Sequence, residues 1–204
     1  MADLVAIYGS PRRKGNTSTL LSKAVQGARD QGLTVEEFLL QEQKISPCLE
    51  LYHCQKNGEC SIKDDFQGLR DEILQANGLI LASPIFFYSV TAQTKAFMDR
   101  FQSLWVKKYL LDQVQFSNWE VKRLGLFISA GATKGKKLFE GTLLSVKYLF
   151  DVLDMQLWDT LLYRGLDKAE DILEHPDYMQ QAYDKGGELA RVLQQGFLSR
   201  QDSQ

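Results

Sequence analysis

The sequence predicts an α/β chain, a doubly wound, five-stranded parallel sheet with helices on both faces. Three observations carry this. Short apolar runs at residues 4–8, 34–40, 79–82, 124–128 and 155–162 have the length of strands, and several stop at glycine, serine or proline. The stretches between them repeat their apolar residues at helical spacing. Neither an internal repeat nor a linker interrupts the alternation, so residues 1–198 are expected to form one domain, with 199–204 a frayed tail.

Each element follows from local signals. Residues 4–8 are a buried strand closed by Gly9-Ser10-Pro11. Asn16, Thr17 or Ser18 then caps a helix whose apolar face is Leu20, Leu21, Ala24, Val25 and Ala28, with Gly32 after its end. The second strand is followed by an irregular segment, 43–63. Asp64 and Asp65 are placed to cap a helix with Phe66, Leu69, Ile73 and Ala76 on one face. After the third strand, a helix is expected over 91–105; its end, and the stretch through Asn118, give no clear signal. The fourth strand runs into the loop Ser129-Ala130-Gly131-Ala132-Thr133. Phe139, Leu143, Val146, Phe150 and Leu153 mark the next helix, and a polar helix over 176–194 follows the fifth strand.

Composition excludes several classes. The formal net charge is −2 and basic residues are dispersed, which gives no footprint for nucleic acid or an anionic membrane. No apolar run approaches the ~20 residues of a membrane span. The three cysteines lie between Cys48 and Cys60, an odd number that fits a reducing cytoplasm better than a secreted disulfide framework.

In a doubly wound sheet, ligands sit outside the carboxyl ends of the strands. Three loops therefore matter: 9–18, 83–91 and 129–135. The first, Gly9-Ser10-Pro11-Arg12-Arg13-Lys14-Gly15-Asn16-Thr17-Ser18, runs from a strand into a helix N-terminus, where unpaired N–H groups and the helix dipole favour an anion. Ser10, Thr17 and Ser18 add hydroxyls, Asn16 an amide and Arg12 a forked cation suited to phosphate. The glycine fingerprint of dinucleotide-binding folds and the Walker loop are both absent.

Gly9-Ser-Pro-Arg-Arg-Lys-Gly-Asn-Thr17 resembles the phosphate loop of the NADPH-dependent FMN reductase family. The run from Ser83-Pro84-Ile85-Phe86-Phe87-Tyr88 to Arg100 resembles the second flavin loop and following helix of that family's iron–sulfur-flavoprotein-like branch. The resemblance spans roughly 4–165. It implies a flavodoxin-like fold, FMN as cofactor, and a homo-oligomer, dimer or tetramer. Pro84, Ile85, Phe86, Phe87 and Tyr88 are then expected to wall the isoalloxazine, a large flat ring that gains from apolar and aromatic neighbours, with backbone amides meeting its polar edge. Ser129, Ala130 and Gly131 carry over as the loop bordering the flavin, where small side chains let backbone approach.

The cysteine segment departs from that branch. Iron–sulfur flavoproteins carry four closely spaced cysteines; here Cys48, Cys54 and Cys60 match three, and Leu51 stands at the second position. A four-iron cluster wants four thiolates, so none is expected. Zinc on the three cysteines and His53 would need adjacent residues, His53 and Cys54, to reach one ion, and no metal is expected there either. A metal-free remnant is the favoured reading, with a redox-active cysteine pair as the alternative.

No nucleophilic triad is visible, and His53 and His175 lie outside the three loops. No catalytic side chain is therefore assigned, which suits a flavoenzyme whose chemistry belongs to its cofactor. The expectation is a cytoplasmic, FMN-dependent oxidoreductase that takes a hydride from NAD(P)H and reduces a small acceptor: a quinone, nitro compound, free flavin or metal. The alternative is an FMN electron carrier reduced by a protein partner.

Overall fold

The computed structural model describes residues 2–113 and 122–201. Its strands are β1 (Leu4–Tyr8), β2 (Val35–Leu39), β3 (Gly78–Ala82), β4 (Arg123–Gly131) and β5 (Met155–Arg164). All pair in parallel, in the order β2-β1-β3-β4-β5. The helices are α1 (Asn16–Asp30), α2 (Phe66–Gln75), α3 (Ala92–Asp99), α4 (Gln102–Tyr109), α5 (Glu140–Val152) and α6 (Pro176–Gln201). The flavodoxin-like fold predicted from the sequence is the fold observed.

The central strands β1, β3 and β4 are buried at every position, which is why they read as continuous apolar runs. Side-chain alternation divides the core into two layers. Leu4, Ala6, Ile80, Leu126 and Ile128 pack under α1 and α6. Val5, Ile7, Leu79, Leu81 and Phe127 face α2 to α5. Within the first layer two glycines let α1 and α6 touch backbone to backbone. A Cβ on Gly27 would lie 2.0 Å from the Tyr183 carbonyl oxygen, and one on Gly186 would lie 1.9 Å from that of Ala24.

Buried Arg123, at the start of β4, closes the opposite end of the sheet from the predicted loops. Its guanidinium donates to the carbonyls of Ala76 (2.9 Å), Leu153 (2.7 Å) and Ile73, at the ends of α2 and α5. A cation there complements the two helix C-termini. Burial pulls its pKa down to about 10, with Asp154 opposing, so it stays charged at neutral pH.

Several boundaries differ from those predicted. The helix expected over 91–105 is two, broken at Arg100 and Phe101. Arg100 turns its side chain inward to the carbonyls of Ser46 (2.9 Å) and Ile62 (3.0 Å) and to Asp64 (2.7 Å). The break tightens into three-residue turns, Phe101 N–H to Met98 and Leu104 N–H to Phe101. Strand β4 continues through Gly131, so Ser129 and Ala130 lie in the sheet rather than in a loop. Gly15, without a side chain to offer, occupies the cap position of α1. Helix α6 continues through Gln201, beyond the point where the sequence suggested fraying; residues 202–204 and the stretch 114–121 lie outside the described residues.

Candidate functional site

Strand order reverses between β1 and β3, and the loops leaving these two strands are tied together. The Gly9 N–H donates to the Ala82 carbonyl at 2.7 Å. The Gly9 carbonyl accepts from the hydroxyls of Thr91 (2.6 Å) and Thr94 (3.2 Å), at the start of α3. Only glycine permits this approach, since a Cβ at Gly9 would fall 2.2 Å from Thr94 Oγ1. Thr91 also caps α3, accepting from the Thr94 N–H at 3.3 Å.

The first loop curls around Ser10. Its hydroxyl accepts from the Arg12 N–H at 3.1 Å, while the Arg12 carbonyl accepts from the Gly15 N–H (3.2 Å) and the Ser18 hydroxyl (2.8 Å). The first-turn amides of α1 have no partner within the helix, and no acidic residue stands in that turn. Thr17 is 1% exposed, and its Oγ1 has no hydrogen-bond partner. An orphaned buried hydroxyl at a helix N-terminus is the donor a phosphate would use.

Around this end runs a cleft whose wall includes Ser10, Arg12, Asn16, Thr17, Pro84 and Phe86. Ile85, Ala130 and Gly131 complete a more apolar side. The end of β4 is joined to the second loop by the Ile85 N–H to the Ala130 carbonyl (2.9 Å) and by the Ser129 hydroxyl to the Ser83 carbonyl (2.7 Å).

Not every predicted residue faces the cleft. Ser18 and Ser129 turn to backbone carbonyls and hold the loops in shape. The amides of Ile85 and Phe86 are taken by Ala130 and Ser89, so they are not free for a ring edge. Phe87 and Tyr88 form the tip of a tight turn closed by Phe86 and Ser89, at φ 49° and 60°. Phe87 is fully exposed, and the Tyr88 carbonyl accepts from the Thr142 hydroxyl on α5 at 3.2 Å. The expected three-ring wall is thus reduced to Phe86, because the turn carries the next two rings away.

A fourth wall was missed. Leu166 and Asp167, after β5, border the cleft, anchored by the N–H groups of Gly165 (2.8 Å) and Leu166 (3.2 Å) to the Gly131 carbonyl. Asn16 holds this segment too, donating to the Lys168 carbonyl at 2.8 Å and accepting from the Ile172 N–H at 3.1 Å. The Asp171 carboxyl accepts from the amides of Asp167 and Lys168, both at 2.8 Å, which hold its pKa below the usual carboxylate value. Gly165, directly after β5, was the available signal.

The cleft, its loops and the strand order invite comparison with known proteins. Residues 2–156 match the family model described as NADPH-dependent FMN reductase. The chain belongs to this family. An iron–sulfur flavoprotein of Methanocaldococcus jannaschii is 34% identical over 111 residues, 54% of this chain and 58% of that protein. One from Archaeoglobus fulgidus is 39% identical over 106 residues, 52% and 54% of the two chains. The chain spans about half the length of the curated relatives it matches. The solved structure of a flavone reductase superposes with a TM-score of 0.69 at 20% identity, over 94% of this chain and 62% of that one, and supports the fold.

The family's cofactor, FMN, fits the residues present. The phosphate end offers the orphaned Thr17 hydroxyl and free helix amides; the other end offers apolar side chains and small backbone. A four-thiolate iron–sulfur cluster does not fit. Leu51 brings no thiolate, and among the described residues no group of three or more His, Cys, Asp or Glu is placed to hold a metal ion.

Proposed function

We propose that the protein is an FMN-dependent oxidoreductase that accepts a hydride from NAD(P)H and passes reducing equivalents to a small acceptor such as a quinone, nitro compound, free flavin or metal. The carrying observation is Thr17, a buried hydroxyl without a partner, set among unpaired helix amides at the sheet's switch point. When bound, FMN supplies the hydride chemistry; the protein's part is to hold and orient. Thr17, Ser10 and Arg12 would bind the phosphate. Pro84, Ile85 and Phe86 would cover one face of the ring, with Ala130, Gly131 and Leu166 along its edge. Asn16, Ser18 and Ser129 keep these walls in register. No side chain in the cleft is a general acid of the histidine type, and hydride transfer needs none.

The reading extends to a cytoplasmic homo-oligomer. Phe97, Phe101 and Leu104 are buried in the chain's own core. Trp105, Tyr109, Tyr148 and Leu144 remain exposed on α4 and α5, as does Phe87 on its turn. Large exposed apolar patches generally mark contacts. Among the described residues no helix is long and apolar enough to cross a membrane.

The test is the absorbance spectrum of purified protein before and after anaerobic NADH or NADPH. Bleaching of a flavin band by either nucleotide is expected. A flavin band that neither nucleotide bleaches, but a reduced protein carrier does, would move the reading to the electron-transfer alternative.

A further inference from the structure

Where the third loop runs on toward α5 and meets the end of β5, Lys134, Lys136, Lys137 and Arg164 stand without a carboxylate partner among the described residues. The three lysines follow Gly131 and Ala132, which wall the cleft, and all are exposed. Arg164, also exposed, is the last residue of β5. On other faces Arg29 holds Glu37, Lys95 holds Asp99, Lys108 holds Asp154 and Lys185 holds Asp159. A cluster of one sign that is not neutralised locally raises the concentration of anions beside it.

The cluster is built against the mouth of the cleft. Arg164 turns back on the loop: its Nε–H donates to the Gly135 carbonyl and an Nη2–H to that of Lys136, both at 3.3 Å. Its guanidinium also lies 4.9 Å from the centre of the Phe139 ring. These contacts fix the planar fork and leave Nη1 open to an anion. Lys134 reaches across to the fourth wall, where Gly165 makes room for it. A Cβ on Gly165 would lie 3.1 Å from Lys134 Cε, and the Gly165 N–H is bonded to the Gly131 carbonyl on the cleft wall. The exposed Tyr88 borders the same loop, its hydroxyl 3.8 Å from where a Cβ on Gly135 would stand.

We propose that this cluster seats the phosphates of the nicotinamide donor, with Lys134 and Arg164 selecting the dinucleotide that carries a 2′-phosphate. The inference rests on the FMN-oxidoreductase reading above. A donor whose nicotinamide enters the cleft must leave its charged end outside, and the unpaired cations stand on the loop beside that opening. Both natural donors carry the pyrophosphate, so it cannot tell them apart. The 2′-phosphate adds a charge of roughly −1.5 to −2 together with three acceptor oxygens. An unpaired ammonium and a fixed guanidinium recognise that group and gain nothing from the bare hydroxyl of the other donor. Asp167, the carboxylate on the cleft wall, pairs with none of the four cations and so leaves their field intact.

The test uses the flavin-loaded protein. Anaerobic stopped-flow reduction gives the apparent Kd for NADPH and NADH, and calorimetry compares adenosine 2′,5′-bisphosphate with 5′-AMP, probes that bind without reaction. The wild type is expected to favour NADPH and the bisphosphate, and added salt should narrow both differences. Lys134→Met keeps the stem and removes the charge. It should weaken NADPH and the bisphosphate by about three- to fivefold, as expected for one exposed ion pair, and leave NADH and 5′-AMP within about twofold. Its FMN affinity, by fluorescence titration, should equal that of wild type. Lys147→Met, at an exposed lysine of α5 outside the cleft lining, is the matched control and should change none of these values. Equal affinity for the two donors in the wild type, an undiminished preference in Lys134→Met, or weaker FMN in that variant overturns the proposal and leaves the flavin reading standing. So does a loss confined to reduction by an acidic protein carrier. A bound flavin that neither nucleotide bleaches overturns both.

Discussion

The Thr91 hydroxyl donates to the Gly9 carbonyl at 2.6 Å, joining two loops 82 residues apart in the chain. This bond sets the separation of the phosphate end of the cleft from its apolar wall. Thr91→Val keeps the side-chain shape but removes the donor and the cap of α3. Thr94 remains on the same carbonyl, so the loss should be on the order of 1 kcal/mol rather than that of a fully orphaned acceptor. Urea denaturation should register that loss, and FMN should bind several-fold more weakly. Full stability with unchanged affinity would show that the loops do not depend on this tie.

Thr17 gives a prediction whose two halves have opposite signs. In the protein without flavin its hydroxyl is buried and unpartnered, a state that favours its removal. Thr17→Val should therefore leave the flavin-free protein as stable as wild type or slightly more so. The same change should weaken FMN by about 1.5–3 kcal/mol, the value of a hydrogen bond to a charged group. Flavin released from the wild type should be FMN by mass, because the loop is built for one terminal phosphate. Release of FAD, or equal FMN affinity by titration, would contradict the assignment.

Asp64 gives the pH dependence. Burial alone would raise its pKa, but Arg100 at 2.7 Å and the N–H groups of Ser46 and Phe66 outweigh it and hold the carboxyl below its usual value. A depressed carboxyl contributes stability above the unfolded-state pKa and loses it as pH falls through the lower folded one. The contribution is thus present at neutral pH and fades below about pH 4. Asp64→Asn leaves the buried Arg100 without its counter-charge and should cost about 3 kcal/mol at pH 7. The gap to wild type should close on acidification; a gap constant from pH 7 to pH 3 would assign the loss to packing instead.

How much of this was legible in the chain differs by kind of signal. The strands β1, β3 and β4 were readable because burial on both faces demands unbroken apolar runs, and their alternation with helices implied a parallel sheet covered on both faces. The first strand-to-helix junction was readable as a loop because its hydroxyls, glycine and arginine gather there, and its phosphate role belongs to the function proposed above. What misled was direction. Ser18 and Ser129 have the chemistry of ligands, yet their hydroxyls satisfy carbonyls of the neighbouring loops, which spacing alone cannot reveal. Phe86, Phe87 and Tyr88 look alike in sequence, but left-handed backbone at the last two turns them out of the cleft. The break at Arg100 was hidden because its partners, Ser46, Ile62 and Asp64, lie 36 to 54 residues earlier.

That separation of Phe86 from Phe87 gives the last prediction. Phe86 lines the cleft, while Phe87 is fully exposed at the tip of a strained turn. If Pro84, Ile85 and Phe86 cover one face of the cofactor, a single face is left for planar substrates. Donor and acceptor must then use it in succession, giving ping-pong kinetics with parallel initial-rate lines. Phe86→Ala loosens the shared wall, so kcat/KM for donor and acceptor should fall together, by roughly tenfold if about 1.4 kcal/mol of positioning is lost. Phe87→Ala should leave both constants near wild type, since its ring does not reach the cleft. Its effect should appear in sedimentation, as a shift toward monomer, because an exposed aromatic held at φ 49° is the natural anchor for a second copy. Intersecting lines with a demonstrable ternary complex would falsify the single-face arrangement. A Phe87→Ala chain that keeps its assembly but loses turnover would reverse the roles given to the two rings.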